Sequence, residues 1–217
     1  MIKVISFDIG GTLLKSENNN VQNNYNLKEL TQLLNLPYEN VRNSYKHVFQ
    51  TKKGTMNELI DMFCKELTIK PFSKLNEFFH NKFLNESVKQ EITPEAASII
   101  NDLKKEGYKV ILFSNSCCLL NNDAISSILS NIDGVFYSYD IGYTKDDTNS
   151  YKYIENIMNV KPTEILHIGD TPKSDYYMPK KNGWNAVYYG KCDDASVVAI
   201  SSLAELYDVL KSSSYKN

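Results

Sequence analysis

The sequence predicts an α/β protein: a doubly wound parallel sheet with a small α-helical domain inserted near its start. Three observations predict it. Five apolar runs (3–7, 109–113, 135–139, 164–168 and 185–189) recur along the chain, and helix-patterned segments separate most of them, as in a parallel sheet covered on both faces. Four of these runs end in polar clusters, the placement of ligand sites in open α/β sheets. Between about residues 18 and 90 the alternation stops and only helical patterns appear.

Taken in order, the first run ends at Asp8 and the turn Gly10-Gly11-Thr12. An unpaired buried carboxylate is costly, so Asp8 reads as a turn cap or a site residue, not as core. The polar stretch Glu17-Asn18-Asn19-Asn20, followed by Gln22-Asn23-Asn24, reads as a linker. It leads into helical patterns at 27–34, 38–49, 56–67 and 75–84. A helix over 93–107 has Thr93 as N-cap, Pro94 at its first position and Gly107 past its end. Its apolar residues Ala96, Ile99, Ile100 and Leu103 recur at helical spacing. The second run exits into Ser114-Asn115-Ser116, which alone is ordinary turn chemistry but can also hold an anionic oxygen. The third leads to Lys145 within Gly142-Tyr143-Thr144-Lys145-Asp146-Asp147. The fourth exits through Gly169-Asp170-Thr171-Pro172-Lys173-Ser174-Asp175, and Gly183-Trp184 introduces the fifth. The expected division is a core from 1–15 and 91–217, with a helical insert over 16–90.

With 217 residues the chain can bury a sizeable core plus a small extra domain. A net charge of −2 gives no reason to expect nucleic acid or an anionic membrane as partner. No apolar run approaches the ~20 residues of a membrane helix, and no charged-then-apolar leader opens the sequence. Four cysteines without CxxC spacing suit a reduced, cytoplasmic protein. The histidines His47, His80 and His167 are scattered and read as structural or surface groups.

Carboxylates at Asp8, Asp170 and Asp175, brought to one sheet edge, would repel one another unless a cation joined them. Mg²⁺ suits such oxygen ligands. Lys145 supplies the one positive side chain. In this order the segments FDIGGTLL, ILFSNS, GYTKDD and GDTPKSD resemble the four motifs of the haloacid dehalogenase (HAD) superfamily of hydrolases. The resemblance implies a Rossmann-like core, and it makes the insert similar to the family's small helical cap. It implies Asp8 as nucleophile, forming an aspartyl-phosphate, with Ser114 bonding the transferred group and Lys145 neutralising charge. Gly11, Thr12, Ser114, Asn115 and Lys145 would bind substrate, a small and typically phosphorylated molecule. Asp8, Asp170 and the backbone carbonyl of Gly10 would hold Mg²⁺, and Asp175 would complete the metal site either directly or by supporting the other ligands.

One position departs from the family's phosphatases: where they carry a second Asp as acid and base, this chain has Gly10. General acid–base help is worth roughly 10²–10⁴-fold, so its loss falls hardest on poor leaving groups. Three readings stay open. The first is a weak or specialised Mg²⁺-dependent phosphohydrolase. The second is a carbon–halogen or carbon–phosphorus hydrolase, for which Arg42, Lys52 and Lys53 stand at loosely suitable places, though a solvated helix charge explains each of them several times better. The third is a binding or regulatory protein that kept the site without the reaction. DIGGT also resembles the first phosphate motif of actin-fold sugar kinases, but their further loops are not visible.

Overall fold

The computed structural model describes residues 1–16, 23–86, 90–120 and 123–212. In chain order, β1 (Val4–Phe7) and β2 (Leu14–Ser16) precede four helices, α1 (Asn23–Leu34), α2 (Tyr38–Phe49), α3 (Met56–Glu66) and α4 (Ser73–Glu86). Then come β3 (Gln90–Ile92), α5 (Pro94–Lys105), β4 (Lys109–Ser114) and a 3-10 stretch, Asp123–Asn131. They are followed by β5 (Gly134–Tyr137), the short α6 (Ser138–Ile141) and α7 (Thr148–Met158). The remainder comprises β6 (Ile165–Gly169), a π-helical turn (Pro172–Tyr177), α8 (Met178–Lys181), β7 (Asn185–Tyr189), β8 (Ala199–Ile200) and α9 (Leu206–Lys211).

Six strands form a parallel sheet in the order β5-β4-β1-β6-β7-β8. After β5 the chain crosses back over β1 to lay down β6 on its other side. The C-terminal end of β1 is therefore the topological switch point, where such sheets open a crevice for ligands. The strands are short and almost wholly buried, and alternate side chains serve opposite faces. Ile5, Phe7, Val110, Leu112, Leu166 and Ile168 pack with residues of α5 and α9. Val4, Ile111, Phe113 and Ile165 pack instead with Tyr151, Ile154 and Met158 of α7 and with Trp184.

The helices α1–α4 bury a core of their own around Phe49, Phe63, Phe79 and Phe83, with Phe49 stacked on Phe79 at 4.5 Å between ring centres. Cys117, just past β4, packs into that core as well. A capping box between Thr55 and Glu58 starts α3. At the root of this helical segment, β2 and β3 pair antiparallel, a two-stranded ribbon that short polar sequence did not announce. Two ion pairs join the helical segment to the sheet's C-terminal edge: Lys46–Asp146 at 2.5 Å and Lys53–Asp140.

The expected five strands all form, with ends shifted by a residue or two. The third is the most altered, since Ser138 turns into α6 and ends β5 at Tyr137. Thr93 caps α5 through a 3.1 Å bond from the Ala96 N–H, as expected. Most of the expected linker lies outside the described residues, but Asn23 and Asn24 belong to α1 and not to the linker. All four cysteines are free thiols, and no helix among the described residues is long and apolar enough to cross a membrane.

Candidate active site

Asp8 follows β1 directly, and its N–H continues the ladder by bonding the Ile168 carbonyl at 2.8 Å. The side chain is nearly buried. Its Oδ1 accepts a 2.5 Å bond from Lys145 Nζ, which also donates to Asp175 Oδ1 at 2.6 Å. Lys145 is only 1% exposed, and its Nζ lies 5.4 Å from the centre of the Phe113 ring. Its backbone is fixed from two sides. The Lys145 N–H donates to Asn115 Oδ1 at 2.8 Å, and the Tyr151 hydroxyl donates to the Lys145 carbonyl at 2.9 Å. The loops after β4 and β5 are tied together by Ser138, whose Oγ accepts from the Ser116 N–H and donates to the Ser116 carbonyl.

Asp175 lies in the π-helical turn, a local widening often found at functional sites. Its carboxylate folds back over β6: Oδ2 accepts from the Thr171 N–H at 2.9 Å. Its Oδ1 serves both Lys145 and His167 Nε2, the latter at 3.2 Å. This approach explains Gly169, because a Cβ there would come within 2.5 Å of Asp175 Cγ. Gly11 has a parallel reason: its φ is +79° and a Cβ would stand 2.1 Å from Asp170 Oδ2. Gly10 is different. Its φ lies outside the left-handed region and an added Cβ would meet nothing within 4 Å.

Asp8, Asp170 and Asp175 each offer a carboxylate oxygen within 4.8 Å of the others. Burial pushes the Asp8 carboxyl up to about 7, with Asp175 and Asp170 adding to the rise against the pull of Lys145. Burial and the Asp175 charge push Asp170 up to about 6. Burial also works against Asp175, but the Lys145 ammonium and the His167 hydrogen bond hold that carboxyl well below the usual range. Burial disfavours charge on Lys145 too, and the two carboxylates override it and raise the ammonium's pKa. When all are ionised, three carboxylates and one ammonium leave two negative charges, the complement of one divalent cation.

The four sequence segments thus converge at one sheet edge. Ser114 ends β4, the strand paired with β1, and is nearly buried, and Asn115 spends its carbonyl oxygen on the Lys145 N–H. The Thr12 hydroxyl is buried without a hydrogen-bond partner among the described residues. Arg42 pairs along its own helix with Glu39 at 3.4 Å. Lys52 lines a groove of about 400 Å³ between α2 and α3 with Val48, Met62, Lys65 and Glu66, and Lys53 reaches Asp140 and the Tyr139 ring. Sequence reasoning missed Ser6, Ser138, Tyr151 and His167 as parts of the site. For Ser6 and His167 a clue was present: each interrupts an otherwise apolar, buried strand.

A family model for haloacid dehalogenase-like hydrolases matches residues 2–183, and the chain belongs to that family. A search of curated protein sequences found no match. Among solved structures, the chain is similar to a predicted phosphoglycolate phosphatase from Haemophilus somnus 129PT, at 17% identity and TM-score 0.62, covering 97% of this chain and 98% of that one. A 2-haloacid dehalogenase from Pseudomonas syringae pv. tomato DC3000 gives 18% identity and TM-score 0.59 over the same shares, 97% and 98%. A HAD family enzyme from Bacteroides thetaiotaomicron, in complex with magnesium and inorganic phosphate, gives 16% and 0.59 over 90% of this chain and 98% of that one. At these identities the likeness is one of fold, and it spans both phosphatases and dehalogenases.

Proposed function

We propose that this hydrolase cleaves the phosphoryl group from a small phosphorylated molecule through a covalent intermediate on Asp8, with Mg²⁺ as cofactor. The observation that carries the proposal is the charge balance at Asp8. Lys145 already bridges two carboxylates, and the cluster retains two negative charges that a hard divalent cation would cancel. Asp8, Asp170 and the Gly10 carbonyl would hold the ion. Asp175, with both oxygens engaged, would act by holding Lys145. The ion would supply charge neutralisation, so that an anionic carboxylate can approach an anionic phosphate.

In the first step an Asp8 oxygen would form a bond to phosphorus as the bond to the leaving oxygen breaks. Lys145 orients the nucleophile through Oδ1 and counters its charge, and Ser114 lies at the neighbouring strand exit to bond a phosphoryl oxygen. In the second step water would attack the phosphorus as the bond to the Asp8 oxygen breaks, freeing the carboxylate and releasing the water's proton to solvent. Gly10 supplies neither the acid of the first step nor the base of the second. Substrates with good leaving groups, such as acyl phosphates or anhydrides, therefore fit best. The helices α1–α4, tied to the core by Lys46 and Lys53, would serve as the cap over this site.

Carbon–halogen hydrolysis is the second reading, and Gly10 is the observation that favours it, since that reaction needs no acid at this position. Asp170 weighs against it by adding charge that an alkyl halide would not use. A screen with and without Mg²⁺ over phosphomonoesters, acyl phosphates, phosphonates and 2-haloacids tests both, with Asp8→Asn as control. Mg²⁺-dependent phosphate release that Asp8→Asn abolishes is expected. Halide release, or full activity in Asp8→Asn, would overturn the proposal.

A further inference from the structure

Behind the reacting groups lies a buried polar pair, Ser6 and His167, that the chemistry proposed above does not use. Ser6 Oγ lies 2.8 Å from His167 Nδ1. His167 Nε2 lies 3.2 Å from Asp175 Oδ1, the same oxygen that takes Lys145 Nζ at 2.6 Å. Lys145 Nζ then reaches Asp8 Oδ1 at 2.5 Å, closing a path from Ser6 back to the residue two places after it. Ser6 and Asp8 are two residues apart at the end of β1, and Ser6 is directly paired with His167 on β6. Ser6 and His167 are fully buried and Asp175 is 1% exposed.

Neither polar residue is needed to fill the sheet. Their strand neighbours Val4, Ile5, Phe7, Ile165, Leu166 and Ile168 are all buried hydrocarbon, and a buried hydroxyl or imidazole is costly unless hydrogen-bonded. The His167 ring packs edgewise near Phe113 and Trp184, with centres 5.9 and 6.4 Å away, so its plane is set. The partners also fix its protons. An ionised Asp175 can only accept, so Nε2 carries the hydrogen, and Nδ1 must then accept from the Ser6 hydroxyl. The ring is fully buried, with no water to solvate a positive charge, so the neutral form is the one that fits.

We propose that Ser6 and His167 are a positioning pair: Asp175 sets the Nε2–H tautomer of His167, Ser6 anchors the ring through Nδ1, and the anchored ring holds Asp175 Oδ1 where it binds Lys145 against Asp8. This deepens the proposed phosphohydrolase reading and rests on it for its kinetic consequence, but the tautomer and the hold on Lys145 do not depend on any substrate. Without the Ser6 hydroxyl, Nδ1 is left buried and unpaired and the ring loses one of its two hydrogen-bonded anchors. The Nε2–H hold on Asp175 then loosens, and one support of Lys145 is weakened.

The test compares Ser6→Ala, His167→Gln and His167→Leu with the wild type in the full chain. Nitrogen NMR of labelled histidine should show His167 neutral with its proton on Nε2, and in Ser6→Ala the Nδ1 resonance should move as its hydrogen bond is lost while the proton stays on Nε2. The Lys145 ammonium hydrogens should exchange slowly in the wild type and in His167→Gln, whose amide can still donate to Asp175. They should exchange faster in His167→Leu and Ser6→Ala. With any substrate that the screen identifies, His167→Leu should lose roughly tenfold to a hundredfold in kcat with KM little changed, and His167→Gln should recover part of it. A charged ring or an Nδ1–H tautomer in the wild type would overturn the proposal. So would equal Lys145 exchange in Ser6→Ala and wild type, a comparison that stands even if His167→Leu does not fold. If no substrate is turned over, the phosphohydrolase reading fails by itself, and the two NMR readouts still decide the positioning role.

Discussion

Two adjacent glycines in the turn after β1 should respond to substitution in opposite ways. At Gly10 the backbone is ordinary and a Cβ meets nothing within 4 Å, so Gly10→Asp can be accommodated. At Gly11 a Cβ would stand 2.1 Å from Asp170 Oδ2 with φ at +79°, so Gly11→Ala must displace the acidic cluster. If the missing acid limits the reaction, Gly10→Asp should raise kcat/KM on an alkyl phosphate by roughly 10²–10⁴-fold. That corresponds to about 3–5 kcal/mol of barrier. On an aryl or acyl phosphate, whose leaving group departs unprotonated, kcat/KM should scarcely change, because it reports only events up to the first bond cleavage. Gly11→Ala should lose activity on both. The assay is phosphate release under matched Mg²⁺ for the two substrate types. Equal gains on both, or no gain on the alkyl phosphate, would refute the assignment of Gly10 as the absent acid.

Other expectations follow from the same geometry. Lys145→Met leaves Asp8 and Asp175 facing each other without their shared cation, so it should cost roughly 3–5 kcal/mol of unfolding free energy in Mg²⁺-free buffer, measured by denaturant titration. A loss under 1 kcal/mol, by the same principle, would mean the pair is not buried as described. The pH dependence has a definite sign. Asp8 and Asp170 are raised to about 7 and about 6, so between their ordinary value of 3.8 and those values the native state holds protons that the unfolded chain has lost. Their contribution to stability therefore falls as pH rises through that window, and a cation, which needs both ionised, reverses the loss. The Tm increase on adding Mg²⁺ should be small below about pH 6 and large above about pH 7, and a flat profile would contradict the ligand assignment. Tyr151→Phe removes one hydrogen bond to the Lys145 carbonyl and should cost about 1 kcal/mol of stability with a modest loss of kcat.

The parts of this fold that sequence made legible are those with a strong local cause. The buried strands carry continuous apolar runs, and α5 has a cap at Thr93, a proline at its first position and Gly107 just beyond its end. The site was legible because Asp8, Ser114, Lys145, Asp170 and Asp175 each stand at the end of such a run or within a few residues of it. The ribbon of β2 and β3 escaped notice because three-residue strands with polar residues carry no usable periodicity, and β8, with two residues, is shorter still. The π-helical turn carries Asp175 onto Lys145, 30 residues earlier in the chain, a tertiary contact with no local pattern. Ser6 and His167 were visible only as interruptions of apolar strands, and their meaning came from the register that sets them side by side.

The nucleophile assignment is tested most directly by trapping. Quenching the enzyme during turnover of an acyl or aryl phosphate, reducing it with borohydride and mapping its peptides should find the carboxyl of Asp8 converted to an alcohol, with Asp170 and Asp175 untouched. Sustained Mg²⁺-dependent turnover with an unmodified Asp8, or with the reduced carboxyl at another residue, would contradict it.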